Sequence, residues 1–87
     1  MEKEFYSPIF PMYRKLNKFC FFKIIDKKTF EELKIMGKKY MFSTIHIVQF
    51  SERIYIEDVL KMGIEIDKSI FEKQLAICKS DFKELKL

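Results

Sequence analysis

His46, Cys20 and Cys78 are the residues best suited by type to nucleophilic or acid–base chemistry. An imidazole exchanges protons near neutral pH, and a thiolate paired with it is a strong nucleophile. Their settings argue for other uses. His46, the single histidine, lies in an alternating run between Thr44 and Val48, where a hydrogen-bonded strand residue belongs. Cys20 interrupts an aromatic run and Cys78 falls on an apolar helical stripe, so both read as reduced core thiols. One His with two well-separated Cys has no structural zinc spacing. Glu31-Glu32 and Glu57-Asp58 are adjacent pairs whose side chains diverge on a strand or a helix, so they read as solvated surface. Two glycines cannot build a phosphate-cradling loop. The expectation is a chain with no catalytic residue, no metal site and no cofactor: not an enzyme.

What remains is charge. Seventeen Lys+Arg against thirteen Asp+Glu give a net charge of +4, and only Arg14 and Arg53 are arginines. Bidentate phosphate clamps and base readout lean on Arg, so a Lys-dominated surface points to less specific attraction. Residues 11–40 hold nine Lys/Arg against three Asp/Glu, whereas residues 51–87 are nearly balanced, with seven against eight. The basic character belongs to the first half. If the chain folds there as a meander, alternate hairpin turns share one end of the sheet. Lys15, Lys18, Lys38 and Lys39 then gather at that end beside Arg14 and Tyr40, with Lys27 and Lys28 at the other. These eight residues are the candidate partner-binding set. A lysine cluster flanked by aromatics holds a nucleic-acid backbone or an acidic protein surface; lysines also fill turns simply because they solubilise them.

The elements that position this set follow from periodicity. Residues 18–25 (KFCFFKII) read as a strand buried on most of both faces, with Phe19, Phe21, Lys23 and Ile25 on one and Cys20, Phe22 and Ile24 on the other. Residues 12–16 alternate weakly, and Asn17-Lys18 makes a tight turn between the two. Asp26-Lys27-Lys28-Thr29 is a second turn. Residues 29–36 read as a short helix capped by Thr29 and ended by Gly37, or as a strand with Leu33 and Ile35 opposed to Glu32 and Lys34; flanking strands favour the latter. Residues 39–50 form a long strand rich in β-branched and aromatic residues, broken at Ser51-Glu52. A short strand at 53–56 and a turn or two of helix over 56–62, stopped by Gly63, come next. Last is a helix capped by Asp67 or by Ser69 with Glu72, carrying Phe71, Leu75, Cys78, Phe82 and Leu85 on one stripe and Lys73, Lys79, Lys83 and Lys86 away from it.

The fold expected is α+β: an antiparallel meander of three to five strands with a C-terminal amphipathic helix packed on one face, leaving the other face or the edges open. Eighty-seven residues make one domain, with residues 1–11 an extended arm whose prolines follow Ser7 and Phe10. Ten Phe, within an aromatic share of 16%, exceed what so thin a core needs, so some rings are expected at the surface as contact area unless codon bias alone accounts for them. The first residues lack the basic and apolar regions of a secretory leader, and no apolar run approaches the ~20 residues of a membrane span. A cytoplasmic, non-secreted protein is the reading.

In size and composition the chain resembles the small single-domain proteins of phages and mobile elements from AT-rich bacteria: short, Lys/Ile/Phe-rich, with no catalytic motif. That class includes inhibitors of host defence such as anti-CRISPR proteins. The resemblance implies a non-enzymatic inhibitor or adaptor in the host cytoplasm, docking on a nuclease or an RNA–protein complex through an exposed sheet face or edge. The alternatives are a small basic nucleic-acid-binding module and a homodimer paired through its edge strands.

Overall fold

Three tight turns, each written in the sequence, fold the first half into a meander. In a computed structural model that describes residues 9–85, the four strands are β1 (Met12–Asn17), β2 (Cys20–Asp26), β3 (Thr29–Met36) and β4 (Lys39–His46). At the first turn the Asn17 Oδ1 accepts the Phe19 N–H at 2.7 Å, and at the second the Asp26 Oδ1 accepts the Lys28 N–H at 2.7 Å. These short side-chain bonds hold the backbone in a turn without help from elsewhere. At the third, Gly37 takes φ +65°, a left-handed conformation that a residue with a Cβ adopts only at a cost.

Residues 29–36 are a strand. All eight pair with β4, from Thr29↔His46 to Met36↔Lys39, without a break in register. Pairing on both sides lets Leu33 and Ile35 share one face, which one short helix could not provide for all of them.

The second half departs from expectation. β4 ends at His46, and residues 50–62, expected as strand end, short strand and a turn or two of helix, form a continuous helix, α1 (Phe50–Met62). Its start is set by Glu52, whose Oε1 accepts the N–H of the N-cap Gln49 (3.0 Å), a donor that helix geometry would leave unmet, and that of Val48 just before it (2.9 Å). Then follow β5 (Ile64–Glu65), α2 (Lys68–Asp81) and β6 (Lys83–Glu84). The sheet order is β5-β1-β2-β3-β4-β6, antiparallel except where β6 runs parallel to β4. The C-terminal half therefore supplies both outer strands.

Strand parity separates two cores. Tyr13, Phe21, Leu33 and Tyr40 are buried with Phe71 and Cys78 of α2, and the Tyr13 and Phe71 rings lie 5.7 Å apart. Phe22, Ile24 and Phe30 are buried with Ile56 and Val59 of α1. The expected open face is thus absent over much of the sheet, because α1 lies where bare sheet was predicted.

Helix α2 is shorter than its apolar stripe. It ends when the Phe82 N–H bonds the Cys78 carbonyl at 2.9 Å and the chain turns into β6, so Lys83 and Leu85 lie beyond it. Asp67 is the N-cap residue but makes no side-chain cap bond, and Glu72 faces Lys68 at 3.8 Å instead of closing a box with Ser69. Of the expected arm, residues 1–8 lie outside the described set; Lys86 does too. Phe10 is half-buried against the α1-side core.

Candidate functional site

The meander places the basic residues in three groups. Lys18 sits in the β1–β2 turn, and Lys38 and Lys39 at the β3–β4 turn. The two turns lie at one end of the sheet, since the Ile35 N–H bonds the Phe19 carbonyl at 2.8 Å and so brings them level. Two strand spacings separate them, roughly 10 Å. Lys83 joins this end from β6, its N–H bonding the Lys38 carbonyl at 3.0 Å. Among the described residues, none of these four lysines lies within ion-pair distance of a carboxylate.

Lys27 and Lys28 occupy the opposite end, in the β2–β3 turn. There they line an open cleft of about 670 Å³ with Phe10, Thr29, His46 and Val48. Arg14 and Lys15 lie further down β1, on opposite faces of the sheet. Arg14 stands across from Phe22 and Glu65, its Nη1 donating to the Tyr13 carbonyl at 2.9 Å, and Lys15 stands across from Phe21 and Ile64.

Tyr40 needs correction as a surface aromatic. It is 3% exposed in the α2-side core, and its hydroxyl donates to Glu84 Oε1 at 3.4 Å. Burial foremost, then the Glu84 charge, pushes that phenol above its ordinary value. The accessible side chains at the lysine end are Phe19, 56% exposed, and Met36, 44% exposed. They project on opposite faces, so the end of the sheet is a rim with apolar contact on both sides and lysines along its crest. Phe19 had been counted among the strand's buried rings. It is the last residue of the β1–β2 turn, its N–H held by Asn17 Oδ1, and that place just before the strand is the signal that it stands at the end.

A second cluster lies under α1. Glu32 was read as solvated, yet it is 8% exposed. It accepts a hydrogen bond from the Tyr55 hydroxyl and lies 3.7 Å from the Lys34 Nζ. Desolvation, then the bond to Glu32, holds the Tyr55 phenol well above its ordinary value. Cys20 is half-buried nearby; burial and the Glu32 charge raise its thiol, and Lys34 partly offsets them. A raised thiol is a poor nucleophile at neutral pH. Cys78 lies in the other core with its thiol raised by burial, and His46 bonds Thr29 Oγ1 through Nδ1 at 3.2 Å. The Cys20–Glu32–Tyr55 group therefore reads as a structural network that satisfies a buried carboxylate.

Among the described residues, no three His, Cys, Asp or Glu side chains converge as a metal site, and no helix is long and apolar enough to cross a membrane. Comparison with protein-family models, curated proteins and solved structures finds no match to this chain.

Proposed function

We propose that this chain is a non-enzymatic binding protein that docks, as small phage and mobile-element inhibitors do, on an acidic surface of a host protein or ribonucleoprotein complex. The contact is the lysine-crested rim: Lys18, Lys38 and Lys39 with Phe19 and Met36. A single observation carries the reading. Two large apolar side chains, Phe19 and Met36, stand exposed at the end of the sheet where Lys18, Lys38 and Lys39 gather, none of them within ion-pair distance of a carboxylate among the described residues. Apolar area gives a protein interface its affinity, and the surrounding lysines give it orientation and encounter rate. Helix α2 supports the rim by holding Tyr40 and the β6 strand against it.

A rim that instead held nucleic acid would behave differently in salt. Three or four neutralised phosphates predict an affinity loss of roughly 20- to 150-fold between 50 and 200 mM salt. The test is capture from a phage-host lysate at both salt concentrations, comparing the native chain with Phe19→Ser and with Lys38→Glu/Lys39→Glu, alongside anisotropy with single-stranded and duplex oligonucleotides. The expected outcome is one protein or ribonucleoprotein retained at both salts by the native chain and lost by Phe19→Ser. Tight, steeply salt-dependent binding to bare oligonucleotides, unchanged by Phe19→Ser, overturns the proposal.

A further inference from the structure

Among the described residues, the outer edge of β4 is covered only where the strand begins. Met36 and Lys39 flank a two-residue turn, so the odd-numbered residues of β4 bond to β3 and the even-numbered ones turn their N–H and C=O groups outward. Two bonds agree with that parity. The Tyr40 carbonyl accepts from the Leu85 N–H at 2.8 Å on the outer side, and the Ile47 N–H donates to the Lys28 carbonyl at 2.7 Å on the inner side. Among the described residues β6 covers only residues 38–40, leaving the outward peptide groups of Phe42, Thr44 and His46 without a partner. The side chains of Thr44 and His46 are exposed.

Natural edges are blunted by lysine, proline, bulges or short length. The opposite edge of this sheet has such protection: a register shift falls between Lys15 and Asn17, β5 pairs with Arg14 and Lys15, and Ile66 bonds Tyr13. The edge of β4 has its lysine and its covering strand only at the start, at Lys39 and Tyr40, and among the described residues nothing of the kind from Phe42 to His46. It carries no proline, and its pairing with β3 has no bulge.

We infer that this edge pairs with the same edge of a second copy of the chain, antiparallel about a two-fold axis at Thr44. Phe42 of each copy then exchanges hydrogen bonds with His46 of the other, and Thr44 with Thr44. Charge selects a second copy over another partner. Residues 41–51 contain no Lys, Arg, Asp or Glu, although charged residues are 34% of the chain. Two molecules of net charge +4 repel at their lysines, and here each meets the other across an uncharged strand. A charged foreign strand gains nothing from this edge. An isologous antiparallel contact is the symmetric closure for a single edge strand. Val48, two residues past the strand, and Phe50, the first residue of α1, are 82% and 74% exposed and add apolar area that five paired residues lack.

The test is sedimentation velocity from low micromolar to submillimolar concentration. The expected mass rises from 10.6 kDa to twice that value. Thr44→Lys places like charges face to face at the axis and leaves a monomer at every concentration, with the far-UV dichroism of a folded chain because the side chain is exposed. Thr44→Cys in a Cys20→Ser background cross-links to itself under mild oxidant, since directly opposed residues in such a pair lie about 5.5 Å apart at Cα, within disulfide reach. A native chain that sediments as a monomer throughout overturns the inference. So does a dimer that neither Thr44→Lys weakens nor Thr44→Cys traps. Phe19→Ser leaves the dimer intact, so rim docking and edge pairing fail separately.

Discussion

Glu32 and Tyr55 carry the tightest polar economy in the molecule. A carboxylate 8% exposed between two aromatic strands would be costly to bury alone. The Tyr55 hydroxyl and the Lys34 ammonium both offset that cost at Oε2. Tyr55→Phe removes the donor and leaves the carboxylate under-satisfied while keeping the ring, which packs edge-on to Phe22 with centroids 5.8 Å apart. The expected loss is about 1–3 kcal/mol, read as a lower urea midpoint with an unchanged slope. Glu32→Gln in the Tyr55→Phe background should recover part of it, because a neutral amide is cheaper to bury than an unsatisfied charge.

Among the elements, α1 was the hardest to read. Arg53-Ile54-Tyr55-Ile56 alternates polar with apolar and is β-branched at two positions, so locally it imitates a strand. The helical signal is spread wider: Glu52 three residues after Gln49, then Tyr55, Ile56, Val59 and Leu60 in an i, i+1, i+4, i+5 stripe. The meander was legible because its turns are determined by adjacent residues, Asn17, Asp26 and Gly37, and its faces by simple alternation. The two outermost strands were not legible. Ile64–Glu65 and Lys83–Glu84 are strands only because a neighbour lies beside them. Phe19, expected within the aromatic strand, lies one residue before it in the turn, because the Asn17 side chain draws the turn forward to include it.

The start of α1 should respond to acid. Glu52 accepts two backbone N–H bonds in its ionised form, which lowers its carboxyl below the ordinary 4.5 despite some opposing desolvation. A depressed folded-state value contributes stability above about pH 4.5, and that contribution is lost as pH falls through the folded value. Glu52→Ala is expected to lower Tm at neutral pH, and the gap from the native chain should close in the acid range below pH 4.5. Hydrogen exchange at Val48 and Gln49 should quicken over the same interval. A gap that persists unchanged at low pH would count against this cap.

As a whole, the molecule is a sheet clasped between two apolar clusters that meet only through the strands they share. A chain of 87 residues has a total stability of roughly 4–13 kcal/mol. Phe71→Ala empties a fully buried ring position, 2% exposed, at a cost of about 3–5 kcal/mol. That is enough to consume much of the total. Since β2 and β3 send alternate residues into both clusters, the variant should unfold at a lower temperature in a single transition seen equally by far-UV dichroism and by tyrosine fluorescence. Two separate transitions would show that the clusters are independent units.

Because both flanking strands and both helices come from residues 50–85, the four-stranded meander leaves the ribosome ahead of the segments that cover it in the finished fold. Its local hairpins close quickly, which leaves a nascent ribbon with greasy surfaces and bare margins waiting on the remainder of its own translation. Any pause in that interval is a hazard for clumping. A chain truncated after residue 47 is accordingly expected to precipitate at concentrations where the full-length chain stays dispersed.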